Sequence, residues 1–350
     1  MTTRFVMVGV GNIGRNVLEI VVQKQEQLRN QYGMQLLLVA AVDSGGAAFD
    51  PQGLDPAQVL QLKRAGNSVA SYPAGGEEGV DAVQALQRAD ADLLVELSPT
   101  NLRTGEPGLS AISWALANGM DVVTANKGPL VLGYTQLDAL AAEHGRSLSF
   151  SGAVAGGLPT VNIGQRDLAG TTIKRVEGIF NCTTNYILQR MSEDDLTFDQ
   201  ALAEAQAAGV AEADPTLDID GWDAANKLVI VANSVLGMPA SLDDVAVQGI
   251  RGIGVDQLQR AKERGHALKL LVTAERVEVG EDATGAPQYE LAVRPTELPL
   301  AHPMARLTRW QMGVIYTSDT MGHITAIIED EGTSATSAAV LRDVIHTVVG

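Results

Sequence analysis

A few residues into the chain an apolar run, RFVMVGV, turns through Gly9-Val10-Gly11-Asn12-Ile13-Gly14 and continues as an amphipathic stretch, NVLEIVVQKQEQL. Glycines at the first two positions allow a tight turn and a close approach of backbone to phosphate. The third lets the following helix pack against the strand. The unpaired N–H groups and the dipole at the start of that helix favour negative charge. The spacing therefore predicts a strand–turn–helix unit opening a dinucleotide-binding sheet, with Gly9, Gly11, Asn12, Ile13 and Gly14 against the pyrophosphate.

Through residue 150 the same alternation repeats. QLLLVAAV, DLLVEL, DVVTA and SLSF read as strands, and stretches such as YTQLDALAAEH carry the helical period between them. This pattern predicts an α/β fold: a Rossmann-type parallel sheet over 1–150 with helices on both faces. Segments rich in Gly, Ser and Pro at 44–56 and 71–79 read as loops. Over 151–288 the pattern changes to α+β. IKRVEGIF and ALKLLVTAERVEV read as strands, with TTNYILQRM, FDQALAEAQAA, DAANKLVIVANSVL and VDQLQRAKER as helices between them. YELAVRP, VIYTSD and HITAIIED read as further strands within 289–332, and a closing helix in 333–350 is expected to pack back on the first domain.

At 350 residues the chain exceeds one small core. Its 25 basic and 42 acidic residues give a net charge of −17, and no Lys/Arg cluster is present to neutralise phosphates, which excludes a nucleic-acid partner. Cys182 is the single cysteine, so no intrachain disulfide can form and a reducing cytoplasm is expected. The amino terminus lacks a basic segment and cleavage site, and the apolar runs fall short of the ~20 residues that span a bilayer. No membrane partner is expected.

The strand LLLVAAV ends at Asp43-Ser44. An acidic residue there accepts hydrogen bonds from the adenosine ribose and repels a 2′-phosphate, which favours NAD and leaves NADP open. A capping Asp in a loop is the alternative. Further on, AEADPTLDIDGWDAANK (211–227) gathers Glu212, Asp214, Asp218, Asp220 and Asp223 ahead of Lys227. It is no EF-hand, because the spacing before Gly221 is wrong and no Glu closes the loop. Asp223 and Lys227 stand four apart on a predicted helix and share a face.

Several segments together resemble homoserine dehydrogenase in its short form, without a C-terminal regulatory domain. They are ELSPTN (96–101), TANKGPL (124–130), AVAGGLPT (153–160), EGIFNCTTNYIL (177–188), AEADPTLDIDGWDAANKL (211–228), HPMARL (302–307) and the closing TSATSAAVLRDVI. The likeness runs from residue 5 to the end of the chain. It implies reversible oxidation of L-homoserine to L-aspartate 4-semialdehyde with NAD or NADP, and a homodimer formed through a dimerisation region at 289–332. Because nothing follows residue 350, feedback inhibition through an appended domain is not implied.

Hydride transfer from an alcohol needs a group to handle the hydroxyl proton. The five histidines sit in no suggestive motif, and His302 before Pro303 reads as a loop residue. Lysines suit the task, since those in partly dry sites titrate nearer neutrality. Lys127 follows a strand at the carboxyl end, where α/β sheets bind ligands, and matches the family's T-A-N-K motif; it is expected to serve both chemistry and cofactor. Lys227 is the second catalytic lysine, oriented by Asp223. Their bland readings are a surface lysine capping a strand and an exposed ion pair.

The resemblance further implies that Glu212 and Asp218 bind the substrate's ammonium, with Asp214 and Asp220 as loop and turn formers. Thr183 (or Thr184), at a helix start, and Gly157 would also meet the substrate. Ser98 and Thr100 in the ELSPTN loop, Ser44 and Gly332 would contact the cofactor. Backbone carbonyls of Val154, Gly156 and Leu158 would hold a sodium ion, although Ser151 stands where the family commonly has Glu. Cys182 replaces a glycine or alanine and is read as a tolerated neighbour. The rival readings are another amino-acid-linked NAD(P) dehydrogenase and a nucleotide sensor without activity; a sensor would need neither lysine.

Overall fold

The computed structural model describes residues 1–277, 285, 287–330 and 332–350. The chain divides into two units, Met1–Gly157 with Thr333–Gly350, and Leu158–Gly332.

The strands of the first unit are β1 (Thr2–Val8), β2 (Gln35–Asp43), β3 (Gly46–Phe49), β4 (Gly76–Glu78), β5 (Leu93–Glu96), β6 (Asp121–Thr124) and β7 (Leu148–Ser149). They form one sheet in the order β4-β3-β2-β1-β5-β6-β7, parallel from β2 through β7. The strands read as continuous apolar runs because both faces are covered. Phe5 and Met7 of β1 pack with Val17 and Leu18 of α1 (Asn12–Tyr32) and with Val340, Leu341 and Val344 of the closing helix, Ser334–Val349. Val6 and Val8 point the other way. They meet Ile112 and Leu116 of α4 (Gly108–Ala117) and Leu137 of α5 (Lys127–His144). The sheet's remaining helices are α2 (Pro56–Arg64) and α3 (Ala82–Arg88). Full burial of each such side chain stabilises by roughly 1.5–3 kcal/mol.

The two segments expected to be loops contain β3 and β4, which add antiparallel strands outside β2. They are only four and three residues long and carry no alternating apolar run, so periodicity is silent about them. The free edge of β2 supplies their ladder instead.

The second unit contains α6 (Thr160–Asn162), β8 (Ile173–Ile179), α7 (Cys182–Asp194), α8 (Phe198–Ala207), α9 (Thr216–Ile219), α10 (Trp222–Ser234), β9 (Val245–Val247), α11 (Val255–Glu263), β10 (His266–Arg276), β11 (Tyr289–Pro299), β12 (Gln311–Ser318) and β13 (His323–Glu329). Its sheet runs β13-β12-β8-β10-β11-β9 and is antiparallel except between β9 and β11. Glu278 and Val279, the end of one expected strand, lie outside the described residues. The strands of 289–332 thus share one sheet with β8 and β10. In α10 Leu228 through Ala232 are all buried, which seats the Lys227 end of the acidic segment in the interior. Among the described residues no helix is long and apolar enough to cross a membrane.

Candidate active site

The neighbours β1 and β5 end side by side, and the chain leaves β1 into α1 and β5 into the 97–101 loop. Such a crevice at the strands' carboxyl ends is where open α/β sheets bind ligands. Gly9 has φ +92°, and a Cβ there would lie 2.3 Å from the Leu97 carbonyl carbon. The phosphate loop and the 97–101 loop abut, and only glycine fits between them. At Gly14 a Cβ would come within 2.2 Å of the Gly9 oxygen, so α1 packs directly on the turn. Over Gly11, by contrast, a Cβ meets nothing within 4 Å. Helix α1 starts at Asn12 with Ile13 in its first turn, without a side-chain cap and without an acidic residue there, which leaves N–H groups for an anion. The Arg15 guanidinium, bonded to Asn12 Oδ1 at 2.5 Å, adds positive charge that motif reading passed over. An open face, uncapped donors and a cation fit a pyrophosphate.

Asp43 is more committed than its place in the sequence suggested. Its carboxylate accepts from Lys63 Nζ at 2.5 Å, Ser68 Oγ at 2.6 Å, Gly45 N at 2.9 Å and Val69 N at 3.0 Å. These four bonds outweigh its burial and hold its pKa below the ordinary value. Asp43 therefore organises the turn after β2, as a capping Asp would, and its charge is shared with Lys63. Ser44 beside it is exposed. At the other end of the crevice Ser98 is buried against Glu96, whereas Thr100 is exposed. Lys127 opens α5, half-buried, behind the N-cap Asn126, whose side chain accepts from Gly128 N.

In the second unit one asparagine joins the acidic residues. Asn181 caps α7 by accepting from Thr184 N at 2.9 Å. Its amide nitrogen donates to Asp218 Oδ1 at 2.7 Å and to Asp223 Oδ2 at 2.8 Å. Lys227 Nζ donates to the same Asp223 oxygen at 2.7 Å and to the Phe180 carbonyl at 2.5 Å. Both members of the Asp223–Lys227 pair are only 11% exposed at the side chain, so this is no solvated surface pair. Burial, then the nearby Asp223 charge, push the Asp218 carboxyl above its ordinary pKa. An ammonium has three N–H donors, and those two acceptors occupy two of Lys227's.

The other acids stand apart. Asp214 accepts from Thr216 N, a turn-forming contact, whereas Asp220 makes a long-range pair with Arg251 at 2.5 Å. Glu212 is exposed, and its carbonyl accepts from Gln206 Nε2. It is not drawn into the Asn181 cluster. The threonines also turn inward: Thr183 Oγ1 donates to the Val210 carbonyl at 3.0 Å, and Thr184 Oγ1 to Asn181. Capping is done by Asn181, whose only sequence signal was its place just before a helix. The Cys182 thiol is pushed up to about 11 chiefly by burial, which leaves it a poor nucleophile. Lys269 on β10 was also missed. It donates to Asn185 Oδ1 at 2.7 Å and the Leu307 carbonyl at 2.8 Å, which steadies α7.

In the glycine-rich turn Ala155 and Gly156 both take left-handed φ, 58° and 60°. For alanine this is uncommon and costs on the order of 1 kcal/mol. Val154 is buried there and Gly157 half-buried, and the division between the units falls between Gly157 and Leu158. Ser151 is held by Asp343, to which its amide and hydroxyl donate at 2.7 and 2.6 Å. Thr333, next after Gly332, accepts from Asn16 on α1 at 2.8 Å.

A Rossmann-type nucleotide crevice in one unit, and a largely buried lysine among carboxylates in the other, suit a nicotinamide-dependent oxidoreductase, and likeness to known proteins shows one acting on a CH–OH group. A family model described as "Homoserine dehydrogenase" matches residues 144–345, and one described as "Homoserine dehydrogenase, NAD binding domain" matches residues 9–151. The homoserine dehydrogenase of Methanocaldococcus jannaschii is 36% identical over 97% of this chain and 97% of its own. The NAD(+)-dependent homoserine dehydrogenase of Pseudomonas canavaninivorans is 33% identical over 98% of this chain and 95% of its own. The crystal structure of a homoserine dehydrogenase from Thiobacillus denitrificans superposes with a TM-score of 0.83 at 29% identity, covering 99% of this chain and 73% of that one. The chain belongs to the homoserine dehydrogenase family.

Proposed function

We propose that the chain interconverts L-homoserine and L-aspartate 4-semialdehyde with NAD or NADP, through the residues described above. The observation that carries this reading is the Asn181–Asp218–Asp223–Lys227 cluster: a buried ammonium fixed on two sides, beside carboxylates one of which carries no lysine of its own. When bound, the dinucleotide accepts or supplies the hydride at C4 of the substrate. Asp218, with Glu212 from its exposed loop, takes the substrate ammonium. Asp223 holds Lys227 so that its remaining N–H faces the substrate oxygen. Lys127, at the start of α5, is the second lysine of this reading, and one of the two takes the hydroxyl proton as the carbonyl forms. Thr183 acts by steadying Asp218 and the 210 segment, and Gly157 leaves room for the substrate.

For the cofactor, Gly9, Gly11 and Gly14 leave room for the pyrophosphate, with Asn12 and Ile13 at the helix start. Ser98 and Thr100 would border the nicotinamide, Gly332 would contact the cofactor, and Asp43 and Ser44 would meet the adenosine. Because Lys63 shares Asp43's charge, repulsion of a 2′-phosphate is weakened, and both NAD and NADP are compatible with this end. A sodium ion on the carbonyls of Val154, Gly156 and Leu158 belongs to the same reading; the left-handed pair 155–156 bends the chain there, and the Leu158 carbonyl also accepts from Thr160 N at 2.8 Å. A homodimer is supported by β13, an edge strand carrying Ile327 at 49% exposure. A cytoplasmic location rests on the single cysteine.

Absorbance at the nicotinamide band, with homoserine and NAD or NADP in turn, tests the function. A signal with either supports it, silence with both favours a sensor, and the ratio of rates gives the cofactor preference. A pH dependence follows from Asp218. Ammonium binding needs its carboxylate ionised, and its raised pKa means that form is lost at a higher pH than for an ordinary aspartate. The kcat/KM for homoserine is therefore expected to fall on the acid side with an apparent pKa above that of an ordinary aspartate. Asp218→Asn should raise KM and flatten that limb; an unchanged limb in this variant would assign it to another group.

A further inference from the structure

Glu96 ends β5 with no exposed surface, under the crevice and with no part in the chemistry above. Its Oε1 accepts from Ser98 N at 2.8 Å and from Ser98 Oγ, and its Oε2 accepts from Thr124 Oγ1 at 3.0 Å. The Asn126 amide, 3.5 Å from Oε1, donates more closely to Ser98 Oγ, at 3.2 Å. Asn126 N donates to Thr124 Oγ1 at 3.0 Å. The hydroxyls of Ser98 and Thr124 thus accept from Asn126, and their own protons point to Glu96. Ser98 N, the Ser98 and Thr124 hydroxyls and the Asn126 amide can all donate to this carboxyl, whose pKa burial raises.

The surroundings are tight on both sides. A Cβ on Gly108, at the start of α4, would stand 3.0 Å from Glu96 Oε2. One on Gly128, in the first turn of α5, would stand 2.7 Å from the Asn101 carbonyl oxygen. The loop after β5 and the first turn of α5 are therefore packed on each other, with Glu96 bonded to Ser98 in the loop and to Thr124 just ahead of α5. That loop carries Ser98 and Thr100, and α5 begins with Lys127.

We propose that Glu96 is a positioning residue for hydride transfer: its buried carboxylate ties the 97–101 loop to the Thr124–Asn126 turn and so sets the nicotinamide-side loop against Lys127. This rests on the reading of the crevice as the cofactor site. A partially freed loop costs cofactor affinity and turnover, while homoserine recognition in the second unit is left alone.

The test is steady-state kinetics together with NADH fluorescence titration on Glu96→Gln, Thr124→Val and Thr124→Ser. Glu96→Gln keeps the volume but points an amide at donors. Thr124→Val takes the donor from Oε2 and the acceptor from Asn126 N while leaving the Glu96 side chain in place, and serves if Glu96→Gln fails to fold. Glu96→Gln is expected to lower kcat/KM for the cofactor by roughly 10- to 100-fold, as displacements of reacting groups do. Thr124→Val should lose less and Thr124→Ser least, and homoserine KM should stay within about twofold throughout. Two results would overturn the proposal: cofactor parameters within about twofold of wild type in both Glu96→Gln and Thr124→Val, or equal losses toward cofactor and homoserine. Should the wild-type chain bind NADH yet not oxidise homoserine, the functional reading fails. The titration then decides Glu96 alone, with weakened NADH binding in the variants as the supporting outcome.

Discussion

Lys227→Ala is expected to lower kcat by roughly 10²–10⁴-fold, the range that removal of a positioned acid–base group produces. That corresponds to roughly 3–5 kcal/mol of transition-state stabilisation. NAD(P) affinity should be nearly unchanged, because the lysine belongs to the second unit and the phosphate loop to the first. The reasoning starts from the two bonds that hold Nζ, to Asp223 and to the Phe180 carbonyl. A side chain fixed twice and buried at its root has lost its rotamer freedom before substrate arrives, which is the condition for a group that acts on one oxygen. Single-turnover measurement of nicotinamide absorbance separates the chemical step from binding. Turnover near the wild-type rate would remove Lys227 from the mechanism.

Asp223→Ala is expected to damage folding as well as catalysis. It leaves the Lys227 ammonium, 11% exposed at its side chain, without its carboxylate. Stranding one member of a buried pair costs roughly 3–5 kcal/mol. It also takes an acceptor from the Asn181 amide, which spans Asp218 and Asp223. Asp223→Asn keeps an oxygen in reach of both donors. Much of the stability should return, while kcat stays depressed by roughly 10-fold or more because a neutral acceptor holds the ammonium less firmly. Thermal denaturation of the two variants beside their kcat values checks this. Equal melting of wild type and Asp223→Ala would mean that water, and not the carboxylate, solvates Lys227.

How far these features were legible in the sequence differed between elements. The strand–glycine–helix start was readable because each glycine answers to a local constraint: Gly9 must pass under Leu97, and Gly14 must meet the Gly9 oxygen. The parallel strands were readable because two-sided burial leaves an unbroken apolar run. β3 and β4 were not, since they are made by the edge of β2 and not by their own residues. The pairing of Asp223 with Lys227 followed from helical spacing alone, and burial of the pair followed from the apolar run after it. Asn181 was invisible as a hub because its partners Asp218 and Asp223 lie far along the chain. Asp43's partners were hidden for a similar reason: Lys63, Ser68 and Val69 reach it only after the chain folds back.

The closing helix has a consequence for the order in which this protein comes into being. Val340, Leu341 and Val344 sit in the same cluster as Phe5 and Met7 of the first strand. A ribosome delivers the amino terminus first, so the nucleotide-binding core must wait until residues 340–344 have been made. The unit from Leu158 to Gly332 lies wholly inside that span and is emitted before them. During synthesis the half that holds Asp218, Asp223 and Lys227 can finish its sheet while the half that opens the sequence still lacks part of its interior.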